Sequence, residues 1–285
     1  MSAYEGLIAV LVLGLSIVMG LEIVRPYRKR GGIRWPNILL GAISHVIEKL
    51  VLPVGLGAIA MHWPYGLLHA LTLPAAGAVV AGVLLLDAVK YGQHVLFHKV
   101  YFFWRFHRVH HSDHAIDAST ALRMHPGQAL VGMGVSLSAV LALGLPMLSV
   151  LIFALLHEIV LLFTHANLGI SRNIDRMLRC VVVSPRMHWI HHSSEAPREH
   201  DHNYGICFPF WDWLFGTYIA ESRAGEDGFA FGVDGQPVRV ERLGDLLWLP
   251  VSWRQPMVSN RSGPTDGRDR SARGAEGGPN GPDRR

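Results

Sequence analysis

The sequence predicts an all-α integral membrane helical bundle of about four to five membrane helices, with a cytoplasmic helical cap carrying a histidine-rich site. Three observations predict it. Half of the 285 residues are apolar and only 17% are charged, where average soluble domains carry about 25%. Several stretches run the length of a bilayer with no Asp, Glu, Lys or Arg. Finally, 12 of the 17 histidines fall in two short windows, 87–126 and 185–202.

The first helix is read over residues 4–24, which reach the ~20 residues that span a bilayer. The basic run Arg25-Pro26-Tyr27-Arg28-Lys29-Arg30 follows at once. A secretory signal would place its basic residues before the apolar stretch, so this segment reads as an anchor. Residues 50–86 carry no charge and are too long for one crossing at ~1.5 Å per residue. The break belongs at His62-Trp63-Pro64-Tyr65-Gly66, where proline interrupts a helix and aromatics suit an interface. One helix is therefore expected over 38–61 and another over 67–98. Residues 129–156 are again uncharged and divided by Gly144-Leu145-Pro146, giving helices over 128–143 and 146–164. From residue 263 the chain is Gly, Pro, Arg and Asp with few apolar side chains, a composition that cannot offset its ordering entropy. The expected organisation is an N-terminal anchor and basic segment (1–36), a catalytic domain (37–256) and a disordered tail (257–285).

Charge and topology sharpen this reading. The net charge of +4 is modest and lacks a Lys/Arg stripe with interleaved aromatics, which excludes nucleic acid as the expected partner. Two cysteines, Cys180 and Cys207, make no disulfide framework. With the basic segment 25–34 on the cytoplasmic side, counting crossings brings both histidine windows to that same side.

Within the windows lie His94-x3-His98, His107-x2-His110-His111 and His188-x2-His191-His192. Spacings of three and four place side chains on one helical face, so each pattern can aim two or three imidazoles at one point. Eight converging imidazoles exceed what one tetrahedral zinc takes. Imidazole suits iron, zinc and copper, and this many nitrogens would serve two metals with positions left open. His114 and His200 read as supporting or exposed residues, and His45, His62 and His69 as interfacial or packing ones. The adjacent His157 and Glu158 are ionisable groups within an apolar helix, a functional candidate by default.

Asp87-x3-Tyr91-x2-His94-x3-His98 and Trp104-x2-His107-x2-His110-His111-Ser112 begin a longer pattern. It continues through Arg123-x-His125-Pro126, His165-Ala166-Asn167, Pro185-x2-His188-x2-His191-His192 and Asn203-Tyr204-Gly205, and closes with Trp211-Asp212-x-Leu214-Phe215-Gly216-Thr217-Tyr218. In order and spacing this resembles the fatty acid hydroxylase/sterol desaturase superfamily of membrane-bound oxygenases. The resemblance covers residues 87–218. It implies a non-haem centre of two iron ions, with O2 as co-substrate; because imidazole sites accept zinc as well as iron, zinc is an expected substitute in purified protein. His94, His98, His107, His110, His111, His188, His191 and His192 match the core ligands. His165, in its F-x-H-x-N setting, is a further expected ligand, and His125 is either a ligand or a support for one. Asp87, two helical turns before His94, and Asp201 are expected to serve catalysis by orienting ligand imidazoles through their distal N–H groups.

The expected activity is O2-dependent hydroxylation or desaturation of a lipid such as a sterol or fatty acyl chain. With no haem, flavin or dinucleotide motif visible, electrons are expected from an external redox protein. Arg105, Arg108, Arg172, Arg176 and Arg179 are the candidate docking face, or a contact to anionic lipid. The expected location is multi-pass in a bacterial inner membrane, with the active site cytoplasmic. The alternative is a membrane metal transporter or metal-binding protein without oxygenase activity. Transporters place their sites near the midplane, whereas these histidines are expected beyond the helix ends. A bis-histidine haem protein fits less well, because HxxHH blocks outside the bilayer do not face each other across two membrane helices.

Overall fold

The structure is a computed structural model describing residues 3–29, 32–51, 63, 65–71, 73–194, 199–223, 225, 230–233 and 241–252. Among these residues it is helical, with no strand and only two isolated bridges, Pro26 to Leu168 and Ser193 to Phe231. Helix α1 spans Ala3–Val24, about 33 Å at 1.5 Å per residue, and α2 spans Trp35–Val51. A single turn, α3 (Leu67–Ala70), precedes the long α4 (Ala75–Lys99) and α5 (Tyr101–His111). A 3-10 turn at Ala118–Leu122 leads to α6 (Pro126–Leu143) and α7 (Met147–His165). The remainder is short: α8 (Arg172–Leu178), α9 (Pro185–His191), a 3-10 turn at Glu199–Asp201, α10 (Phe210–Phe215) and α11 (Leu243–Ser252).

Three helices, α4, α6 and α7, are long and apolar enough to cross a membrane. No more than 28% of the residues in these spans are buried inside the protein. Val80, Leu148, Leu151, Ile152 and Ile159 are instead exposed. An apolar surface of this extent needs lipid against it, and the chain is a membrane protein.

The expected helix over 67–98 is broken. Leu71 is extended (φ −96°, ψ 121°), and α4 starts only after Pro74, whose missing N–H and fixed φ suit a helix start and not its interior. Helix α2 begins three residues before the expected 38, and residues 52–61 of that expected helix lie outside the described residues. So do residues 257–285 of the expected tail.

Close backbone approach sets the packing. α4 lies against α6 and α7, α2 against α6, and α1 against α7. At Gly82 an added Cβ would run into the Ser149 side chain, its own Cβ included, so only glycine lets α4 and α7 meet there. Gly144 ends α6 in the left-handed region (φ 64°), as glycine readily does.

At one end of this bundle the polar groups are buried and paired. The Glu22 carboxylate, fully buried near the end of α1, accepts from the backbone N–H of Ala118 and of Asn167, both at 2.8 Å. Asp113, just past α5, is paired with Arg34 and accepts from Asn37 and Thr120. Arg123 donates to Val109 O at 2.9 Å, to Asn37 and to Ser112. Burial alone would raise the Asp113 carboxyl, but the Arg123 and Arg34 guanidiniums hold it below the usual carboxylate range. These contacts join the α1 and α2 ends to α5 and to the 118–122 turn.

Candidate metal centre

The C-terminal ends of α4, α5 and α7 meet α9 at this polar end. Five imidazoles, from His94, His98, His107, His111 and His191, each offer a ring nitrogen within 4.8 Å of the others. Four more, from His110, His165, His188 and His192, form a second group by the same measure.

The division follows from helical geometry: each pattern aims two imidazoles at one group, and the third of each HxxHH block turns to the other. Residues i and i+4 lie about 40° apart around a helix axis, while i+3 and i+4 lie about 100° apart. His107 and His111 therefore share the first group, while His110 turns to the second. In the other block the exchange runs the opposite way: His188 and His192 share the second group and His191 turns to the first. The groups adjoin where the His111 and His192 rings stack with centroids 4.2 Å apart.

Ring orientation is set from outside. His94 Nδ1 bonds Tyr204 O at 2.8 Å, His191 Nδ1 bonds His202 O at 2.8 Å, and His165 Nδ1 bonds Leu161 O at 2.8 Å. His107 Nδ1 faces Gln128 Oε1 at 3.2 Å. A carbonyl oxygen only accepts, so each neutral ring spends its one proton at Nδ1 and turns a lone pair inward at Nε2. Burial pushes His107, His110, His111, His188, His191 and His192 well below the usual imidazole range, which keeps these rings neutral near pH 7.

This arrangement fits a metal. His94 Nε2 and His107 Nε2 lie 3.1 Å apart with both protons already committed outward. His165 Nε2, also without a proton, lies 3.1 Å from both His110 Nε2 and His188 Nε2. Buried lone pairs as close as those of His94 and His107 repel each other unless a cation sits between them. Two nitrogens each ~2.1 Å from one ion fall at about this separation. His191 Nε2 and both His98 nitrogens are buried without a partner, a costly state for a polar atom that a metal bond relieves.

Nine of the ten histidines named from the sequence are thus brought together. His125 is not: it caps the start of α6, its Nδ1 accepting from Gly127 N–H at 2.9 Å while Nε2 faces Leu247 O at 3.2 Å. Among the described residues neither expected carboxylate bonds a ring of the two groups. Asp87 accepts from Cys207 N–H (3.0 Å), Phe208 N–H (3.3 Å) and Trp211 Nε1–H (2.8 Å). Asp201 pairs with Lys99 at 3.0 Å and accepts from Tyr204 Oη–H at 3.1 Å. Carbonyl oxygens take the orienting role instead. Asp87 acts one step back, holding the segment after Tyr204, and Asp212 shares that task through Tyr204 N–H and Gly205 N–H.

Two of the arginines proposed as a docking face are internal. Arg108 is fully buried, donating to Leu249 O at 2.9 Å, and Arg179 pairs with Asp175 at 2.6 Å. The orienting carbonyls of Leu161, His202 and Tyr204 were beyond sequence reasoning, since every residue carries one. Gln128 did give a signal, as a polar residue opening an uncharged run.

Residues 79–217 match the family model described as fatty acid hydroxylase. The chain is 27% identical over 200 residues to an ornithine lipid hydroxylase of Rhizobium tropici, covering 69% of this chain and 56% of the relative. It is 33% identical over 138 residues to an alkylglycerol monooxygenase of Caenorhabditis elegans, covering 47% and 26%. To the Danio rerio alkylglycerol monooxygenase it is 27% identical over 224 residues, covering 77% and 47%. The chain therefore spans about half or less of the length of these relatives. No solved structure matches.

Proposed function

We propose that this chain, which belongs to the fatty acid hydroxylase family through residues 79–217, is a membrane lipid hydroxylase using O2 and two iron ions. The observation that carries this reading is the pair of buried imidazole groups, five and four strong, meeting at the end of an apolar helical bundle.

His94, His98, His107, His111 and His191 would hold one ion, and His110, His165, His188 and His192 the other. When bound, the iron pair supplies the activation of O2 and the oxidation of a C–H bond. The balance is that of a monooxygenase: one oxygen atom enters the C–H bond, the other leaves as water, and two electrons and two protons come from outside. The chain's own residues do the rest. The carbonyls of Tyr204, His202 and Leu161 fix the ring tautomers, so that no proton has to leave a nitrogen before it binds metal. The apolar α4, α6 and α7 offer the acyl part of a lipid a water-free approach to the imidazoles at their ends. The names of the relatives, an ornithine lipid hydroxylase and alkylglycerol monooxygenases, support a glycerol- or amino-acid-headed lipid over a sterol, and hydroxylation over desaturation. The electron donor is a separate redox protein, and the site faces the cytoplasm of a bacterial inner membrane, on the side of the basic segment 25–34.

Metal analysis of the detergent-purified chain tests the core of this reading. About two irons per chain are expected. His191→Ala and His110→Ala should each lose about one, from different groups, and the double variant both. His125→Ala should retain both. A purified chain without transition metal, or one whose content none of the ligand variants changes, rules the reading out.

A further inference from the structure

On the side of the imidazole groups facing the α1–α2 connection lies a cavity of about 570 Å³. Its walls include Tyr27, Arg28, Lys29, Arg34, Trp189 and Phe231. Tyr27 and Trp189 approach with ring centroids 4.9 Å apart, and the Arg28 guanidinium lies 4.7 Å above the Phe231 ring. Ser112 and Asn167, each close in sequence to an imidazole of the two groups, also line it.

Two observations point to the chemistry of an occupant. Trp189 is 2% exposed, and its Nε1–H has no acceptor among the described residues. Indole nitrogen is a donor only, and a buried donor left unmade is costly, so this wall calls for an acceptor from inside the cavity. The second is charge. Arg34 faces its own partner in Asp113, and the Asp117 carboxylate is used in capping the 118–122 turn. Arg123 and Glu241 also line the cavity, so four basic side chains face two acidic ones, and Lys29 makes no ion pair among the described residues. An anion carrying oxygen acceptors satisfies both, and the aromatic walls suit the glycerol or hydrocarbon next to it.

We propose that this cavity binds the anionic group of an amphiphile, a phosphate or carboxylate, through Trp189 Nε1–H and the charges of Arg28 and Lys29. The site stands apart from the imidazole groups and does not depend on the oxygenase reading. Trp189 lies between His188 and His191 on α9, so an occupant braces the helix that supplies both groups.

The test is calorimetric titration of the full chain in neutral detergent with three probes: dihexanoyl phosphatidic acid, dihexanoyl glycerol and inorganic phosphate. The phosphatidic acid is expected to bind and the uncharged glycerolipid not to. Trp189→Phe, which keeps the ring and deletes the donor, should weaken binding about tenfold, the value of one hydrogen bond to a charged group. Lys29→Gln, at an exposed position, should weaken it as well without touching the core. Inorganic phosphate binding as tightly, with the same loss in both variants, assigns the site to a soluble anion and upholds its chemistry. No binding of either anion, or equal binding by both variants, overturns the proposal. A phosphatidic acid signal matched by dihexanoyl glycerol also overturns it, because an apolar groove alone would then be responsible.

Discussion

The Asp212 carboxylate accepts Tyr204 N–H at 2.8 Å, Gly205 N–H at 2.7 Å and the Thr217 hydroxyl at 2.6 Å. The carbonyl of that same Tyr204 holds His94, and the carbonyl of nearby His202 holds His191, both rings of the first group. Replacing one carboxylate oxygen by an amide sets a donor against a donor, so Asp212→Asn is expected to cost about 1–3 kcal/mol. The measurement is a thermal melt beside metal content. The melting point should fall, and the first imidazole group should lose metal more readily than the second. An unchanged melting point shows that the segment 202–205 does not depend on this carboxylate. At this scale the sequence was readable where chemistry is written in side-chain letters, as in the three histidine patterns. It was silent where a backbone oxygen acts, or where partners lie far apart, as Arg34 and Asp113 do.

Among the elements, α4 and α7 matter most, because each carries imidazoles at its last turn and they touch where Gly82 meets Ser149. A larger side chain at Gly82 must push them apart, and overpacking of this kind costs about 1–3 kcal/mol. Gly82→Val is therefore expected to lower the melting point and the metal content together. Gly82→Ala combined with Ser149→Gly, which moves the small residue across the contact, should recover part of the loss. If Gly82→Val melts as the native chain does, the two helices are not held at this point. The long helices were legible because uncharged runs of bilayer length have few other uses. Their ends were less so: the sequence run 67–98 looked continuous because Leu, Thr and Leu before Pro74 are as apolar as the helix that follows. The split of each HxxHH block between two groups was also hidden, since the blocks lie far apart in sequence and only their meeting reveals it.

For the whole molecule, the α1 end, the α5 segment, His165 and α9 lie at one end of the helical bundle, and the cytoplasmic side proposed for that end rests on counting apolar runs and basic residues. Cys180 is exposed just past α8, and Cys207 is fully buried. A membrane-impermeant maleimide should therefore label one thiol, from the cytoplasmic face alone. Labelling in inside-out vesicles but not in right-side-out ones is the expected result, and the reverse pattern would invert the orientation proposed for the site. Glu22 adds a consequence in time. It closes the first helix, yet one oxygen of its carboxylate accepts from N–H groups 96 and 145 residues further on. At about 5–20 residues per second of synthesis, the second of these arrives roughly 7–30 s after Glu22 itself. Until then the nascent chain holds an acidic side chain at the membrane with its final partners not yet made. Asn167 follows His165 by two residues, so the ribosome delivers the last clasp of the oldest helix together with the one imidazole that α7 gives to the two groups.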